Sequence, residues 1–230
     1  MWSAVGFDAA ETLFYNRGLA EQLADWDRGG QPELEQATVA RAVQAVGGRG
    51  LWPEDSAGYA ERLARWSEFY RTVFVEAGLP PTEAAERGAR CGQLVADPRQ
   101  YALFDDVPPV LDRLAASGVP VCVISNFDPL IWDILDRLAL RDRFRVVVTS
   151  WDVGSYKPDP RIFEVALERM RVSPQSMLYV GDSPYADVGG ARAARMPALL
   201  LDRTDRHPTF DGPRITDLGK LPDWLETAGC

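Results

Sequence analysis

Only two lysines, Lys157 and Lys220, and a single histidine, His207, occur among 230 residues. One histidine cannot build a zinc site, and its position in a polar turn argues against a Ser-His-Asp triad through it. The three cysteines, Cys91, Cys122 and Cys230, show no metal-like spacing. Cys122 lies inside an apolar run and reads as a small core residue, a usage that points to a reducing cytoplasm. The apolar runs are short, such as Val119 to Ile124 and Ala198 to Leu201, and none approaches the ~20 residues of a spanning helix. Met1-Trp2-Ser3-Ala4 leads straight into a strand-like segment, with no basic and apolar leader pattern, so no signal peptide is expected. The formal charge of −9 disfavours nucleic acid and anionic membrane as partners. An acidic protein that takes an anionic substrate needs a local positive site or a metal. Arginine is the habitual cation here, so a lysine marks a place that calls for a compact point charge.

What is present argues for a folded core: 46% of residues are hydrophobic and 26% charged, an ordinary globular balance. Val5 to Phe7 reads as a short strand ending at Asp8, with Thr12-Leu13-Phe14 in a tight turn. From about Arg17 to Arg99 apolar residues recur at helical spacing: Leu19, Leu23 and Trp26, then Val39, Val43 and Val46, then Tyr59, Leu63, Trp66, Phe69, Tyr70, Val73 and Phe74. Gly29-Gly30, Gly47-Gly48 and Pro80-Pro81 punctuate them, giving an insert of about four helices. Strands and helices alternate after Tyr101. Strands are expected at Val119 to Ile124, Val146 to Thr149, Met177 to Val180 and Ala198 to Leu201. Helices are expected at Val107 to Ser117, Leu130 to Leu138, Arg161 to Met170 and Asp187 to Arg195, with a short terminal one over Leu218 to Leu225. This pattern implies right-handed crossovers and an α/β fold, a Rossmann-like doubly wound parallel sheet. Residues 1–16 and 101–230 form its core, and 17–100 an inserted helical cap. Nothing in the sequence fixes an oligomeric state.

In an open parallel sheet, ligands bind beyond the carboxyl ends of the strands. Asp8, Ser125-Asn126 and Gly181-Asp182 each close an apolar strand, Asp187 follows five residues after Asp182, and Lys157 follows the Val146 strand. Singly, each reads as a turn residue, a helix cap or a solvated charge. Jointly, they describe one crevice. Asp8, Asp182 and Asp187 would repel one another unless a hard divalent ion, Mg²⁺, is shared among them. That ion and Lys157 would draw in a phosphate dianion, Ser125 would donate a hydroxyl, and Asp8 could attack phosphorus to form an aspartyl phosphate.

These residues resemble the four motifs of the haloacid dehalogenase superfamily: Phe7-Asp8-Ala9-Ala10-Glu11-Thr12-Leu13, Val123-Ile124-Ser125-Asn126, Tyr156-Lys157-Pro158-Asp159-Pro160, and Val180-Gly181-Asp182-Ser183 completed by Asp187. The stretch from Ile124-Ser125-Asn126-Phe127-Asp128 to Gly181-Asp182 is similar to the branch called haloacid dehalogenase-like hydrolase domain-containing proteins. The insert stands where that family carries a type-one cap. The resemblance implies a Mg²⁺-dependent phosphatase acting on a small phosphorylated metabolite. Asp8 would be nucleophile and metal ligand. The main-chain carbonyl of Ala10 and Asp182 would be further ligands, and Asp187 would act through a metal-bound water. Ser125, Asn126 and Lys157 would bind the phosphoryl group. Thr12 would order the first loop, and Trp151-Asp152 would lie on the loop before the third motif.

Two adjacent positions depart from the family pattern. The acid/base aspartate two residues after the nucleophile is replaced by Ala10, and the next position, usually glycine, is Glu11. Positioned acid–base catalysis is worth about 10²–10⁴-fold. Glu11 is the candidate substitute acid, although a one-residue shift ordinarily re-aims a side chain. The rival readings are a catalytically idle relative that binds a phospholigand or a protein, and a 2-haloacid dehalogenase. The dehalogenase needs no leaving-group acid, but it works without metal and would leave Asp182 and Asp187 repelling Asp8.

Overall fold

The computed structural model describes residues 2–49, 51–53 and 55–228; Cys230 lies outside the described residues. Two compact units are present, Met1–Tyr15 with Leu103–Phe127 and Leu138–Cys230, and Asn16–Ala102 with Asp128–Arg137.

The first unit is an α/β layer structure. Its strands are β1 (Ala4–Phe7), β4 (Val121–Ser125), β5 (Val146–Thr149), β6 (Met177–Gly181), β7 (Ala198–Leu201) and β8 (Arg214–Ile215). They form one sheet in the order β5-β4-β1-β6-β7-β8, parallel throughout. Its helices are α5 (Val107–Ala116), α7 (Ser150–Val153), α8 (Pro160–Met170), α9 (Gly190–Ala193) and α10 (Leu221–Ala228). Ile162, Phe163, Ala166, Leu167 and Met170 of α8 pack on Ala4, Cys122, Ile124, Val148, Met177, Tyr179, Ala198 and Leu200. The intervening strand residues Val5, Phe7, Val121, Val123, Leu178, Val180, Leu199 and Leu201 are buried as well. Burial on both faces is why the strands read as unbroken apolar runs.

The second unit contains α1 (Arg17–Arg28), α2 (Gln36–Gly48), α3 (Tyr59–Ala77), α4 (Pro81–Ala96) and α6 (Leu130–Arg137). Its core is built from Leu34, Val39, Val46, Phe69, Val73, Phe74, Ala84, Cys91 and Val95. The chain passes between the units along β2 (Phe14–Asn16) and β3 (Tyr101–Leu103), which pair with each other.

Three differences from the sequence pattern have physical causes. Residues 128–137 group with the helices, because Arg62 Nε of α3 donates to Asp128 Oδ2 at 2.6 Å in a buried ion pair. The helix expected from Asp187 is instead a π-helical segment, Pro184–Gly189, continued by the short α9. There the N–H groups of Asp187 and Val188 both turn back to the Ser183 carbonyl. The edge strand β8 has only two residues, too few to show a hydrophobic period.

In the helical unit α3 and α4 approach closely at Gly88, where a Cβ would lie 2.6 Å from Arg71 N and 2.7 Å from Ser67 O. These are main-chain atoms, so the overlap is not relieved by a rotamer change. Gly88→Ala gains about 1 kcal/mol of helix propensity against about 1–3 kcal/mol of overpacking, and a lower denaturant midpoint is expected. Gly48→Ala, where a Cβ meets nothing within 4 Å, serves as the control and holds or raises the midpoint. A Gly88→Ala midpoint at or above wild type would contradict this packing.

Candidate active site

β1 lies between β4 and β6, and the strand order reverses beside it, so the carboxyl ends of these three strands flank a topological switch point. Asp8 follows β1, with its N–H bonded to the Val180 carbonyl at 2.9 Å. Ser125 closes β4 and donates through Oγ to Asp8 Oδ1 at 3.1 Å.

Lys157 reaches the same place from the loop before α8. Its N–H donates to Asn126 Oδ1 at 2.7 Å, and Asn126 Nδ2 donates to the Lys157 carbonyl at 3.0 Å. Both ends of the Asn126 side-chain amide are committed to the Lys157 main chain, so that side chain positions the lysine. The Lys157 ammonium is buried and donates to Asp8 Oδ1 at 2.5 Å, to Asp187 Oδ1 at 2.7 Å and to Tyr179 Oη at 3.0 Å. A surface lysine would make none of these bonds. Removing one partner from such a buried pair costs about 3–5 kcal/mol.

Asp187 is 1% exposed. The π-helical turn aims it inward, Ser183 N donates to its Oδ2 at 2.8 Å, and Gly181 makes room for it. A Cβ on Gly181 would stand 2.3 Å from Asp187 Cγ. Asp182 is half-buried at the same edge, 3.9 Å from the exposed Arg206 guanidinium. Asp8, Asp182 and Asp187 offer carboxylate oxygens that all lie within 4.8 Å of one another.

The electrostatics follow from this crowding. Burial raises the Asp8 pKa, Lys157 opposes the rise and Asp187 adds to it. Burial, then Asp8 and Asp187, push Asp182 up to about 8. Burial disfavours the charge on Lys157, but Asp187 and Asp8 outweigh it and hold the ammonium charged. The donor set is purely hard oxygen with excess negative charge, which fits a cation such as Mg²⁺.

The first loop turns through Glu11, whose φ of 61° lies in the left-handed region. Glycine enters that region freely and a larger residue does so with strain. More than a third of the Glu11 surface is open to solvent. The dense protein around it still strips enough hydration to raise its pKa, with Arg206 opposing and Asp8 adding. Ala10 makes a β-bridge with Phe14 and carries no acid. The Thr12 hydroxyl is buried without a hydrogen-bond partner among the described residues. The loop is tied instead through the Thr12 carbonyl, which accepts from Arg203 Nη2 at 2.9 Å. Arg203 is in turn held by both oxygens of Asp106, at 2.7 and 2.9 Å, and lies over the Phe104 ring. Trp151 and Asp152 fall in α7, ahead of the Lys157 loop.

The arrangement can be set beside known proteins. The model for haloacid dehalogenase-like hydrolases matches residues 2–195. The chain belongs to this family. Mouse haloacid dehalogenase-like hydrolase domain-containing protein 3 is 32% identical over 202 residues, 85% of this chain and 80% of the mouse protein. A phosphoserine phosphatase of Thermus thermophilus is 33% identical over 159 residues, 66% of this chain and 63% of that enzyme. Among solved structures, the magnesium-bound HAD-hydrolase YfnB of Bacillus subtilis aligns over 98% of this chain and 99% of its own, with a TM-score of 0.70 and 19% identity, a likeness of fold. Tyr179, Arg203 and the positioning role of Asn126 were not found by sequence reasoning for this haloacid dehalogenase-like hydrolase. For Tyr179 the signal was available: it is the one hydroxyl-bearing side chain within the run Met177-Leu178-Tyr179-Val180.

Asp182 gives the family member a testable pH response. Its carboxyl binds a proton more tightly in the folded state than in the unfolded chain, so the stability this contributes is present below pH 3.8 and is lost as pH rises through about 8. Without divalent cation, the denaturant midpoint of wild type is expected to fall over that window more steeply than that of Asp182→Asn. Parallel profiles for the two proteins would contradict the crowding inferred for the three carboxylates.

Proposed function

We propose that this hydrolase is a Mg²⁺-dependent phosphatase of a small phosphorylated metabolite, acting through an aspartyl phosphate on Asp8. The observation that carries the reading is the buried Lys157 ammonium bridging Asp8 and Asp187, with Asp182 beside them. Asp8, Asp182, the Ala10 carbonyl and, through water, Asp187 would hold the ion, which would supply positive charge to bind the phosphoryl group and stabilise charge on its oxygens. Lys157 and Ser125 orient Asp8 and bind the phosphoryl oxygens. A carboxylate oxygen of Asp8 attacks phosphorus, and the ester P–O bond breaks with its electron pair going to the leaving oxygen. Water then attacks the aspartyl phosphate, releasing inorganic phosphate and restoring Asp8. The helical residues 17–100 are read as a cap, and the protein as cytoplasmic. The phosphoserine phosphatase relative supports the phosphatase class.

Ala10 gives no proton to the leaving oxygen, so groups that depart unaided are favoured. Phosphate release with Mg²⁺ is expected from an aryl phosphate and is expected to fall to background in Asp8→Asn. Alkyl phosphates should be cleaved about 10²–10⁴-fold more slowly, the range that a positioned acid supplies. Ala10→Asp should recover part of that difference. Equal rates for both ester classes would contradict the role given to Ala10, unless Glu11→Gln abolishes the alkyl activity and so assigns the proton to Glu11. No release from any ester, with or without Mg²⁺, would favour the non-catalytic, ligand-binding reading that Ala10 invites.

A further inference from the structure

Tyr179 stands in the middle of β6 with its ring fully buried. It pairs in register with Gly6 of β1, and a Cβ there would come within 3.1 Å of the Tyr179 ring. Phe163 of α8 packs edge-on against the other side, with ring centroids 5.0 Å apart at 88°. The ring is thus fixed from two directions, and its hydroxyl is delivered to the carboxyl end of the sheet. There Oη lies 2.8 Å from the Ile124 carbonyl, 3.0 Å from Lys157 Nζ and 3.1 Å from Asp187 Oδ1.

The phenol has one proton to donate, and the Ile124 carbonyl alone would satisfy it if its task were only to be buried without penalty. Its further contacts fall on a candidate phosphate ligand and a candidate metal-site carboxylate. An ammonium has three N–H bonds on a flexible four-carbon stem. Two acceptors leave it free to rotate about the line joining them, and a third removes that freedom. Here the three acceptors are Asp8, Asp187 and the Tyr179 phenol. Two of these are carboxylates at the polar edge, whereas the phenol is carried by a ring fixed in the core.

We propose that Tyr179 is a positioning residue: its phenol is the fixed acceptor that orients the Lys157 ammonium so that the other two N–H bonds bridge Asp8 and Asp187. Phenylalanine keeps the ring packing and removes only the hydroxyl, leaving a buried N–H of Lys157 without its acceptor. Groups that orient a metal-site or phosphate ligand from behind typically affect activity by about 10–100-fold.

The two-lysine composition makes the test direct, because ¹⁵N-lysine labelling gives one ammonium resonance from Lys157 and one from Lys220. Lys220 is exposed and its ammonium bonds only Thr216 Oγ1 among the described residues, so it is an internal control. In wild type the Lys157 ammonium protons are expected to exchange with water far more slowly than those of Lys220. In Tyr179→Phe the Lys157 resonance shifts and its exchange accelerates, while Lys220 is unchanged. The activity arm rests on the phosphatase reading: kcat for an aryl phosphate falls about 10–100-fold with KM nearly unchanged. A Lys157 resonance indifferent to the substitution would overturn the proposal. So would a wild-type Lys157 exchanging as fast as Lys220, a result that needs no variant to fold. If wild type releases no phosphate, the phosphatase reading fails on its own and the resonances still decide the role of Tyr179.

Discussion

Like charges crowded into a water-poor place must be compensated, and the α/β unit is arranged around one such place. Asp8, Asp182 and Asp187 converge within 4.8 Å, and a single ammonium, Lys157, sits against two of them. One positive charge does not balance three carboxylates: burial raises the proton affinity of Asp8 and Asp182, and the neighbouring carboxylates add to the rise. A folded chain keeps such a cluster only where the surrounding structure over-determines it. Here the restraints are explicit. Asn126 grips the Lys157 main chain from both ends of its amide, Ser183 holds Asp187, and Gly181 clears the space Asp187 occupies.

The sheet supplies the convergence. Parallel strands bring successive carboxyl ends to one edge, and the reversal of strand order beside β1 leaves an opening there. The same order separates tasks in β1, β4 and β6: apolar residues in both layers fix position, and the residue that closes or follows the strand carries the chemistry. Tyr179 differs in standing at mid-strand, and its hydrogen bonds tie the hydrophobic layer beneath α8 to the polar edge above.

Much of this was legible in the sequence because it rests on local periodicity. Continuous apolar runs marked the buried strands, and the residue after each run marked the edge. The helical spacing between Arg17 and Arg99 marked the insert. Features set by long-range bonds were not legible. The π-helical turn at Pro184–Gly189 accompanies the bond between Asp187 and Lys157, 30 residues apart, and no residue pattern announces it. The grip of Arg203 on the first loop spans 191 residues of sequence. The affiliation of 128–137 with the helices depends on Arg62 and Asp128, 66 residues apart. Asn126 was legible as a site residue, but the bonds of its side-chain amide to the Lys157 main chain, 31 residues away, were not.

The convergence of the three carboxylates is tested most directly by calorimetric titration of the metal-free protein with MgCl₂, beside Asp182→Asn. The expected result is saturable uptake of one ion by wild type at millimolar concentration or below, accompanied by proton release because Asp182 must ionise to take part, and markedly weaker uptake by the variant. Absence of uptake by wild type across the millimolar range, or equal uptake by both proteins, would contradict it.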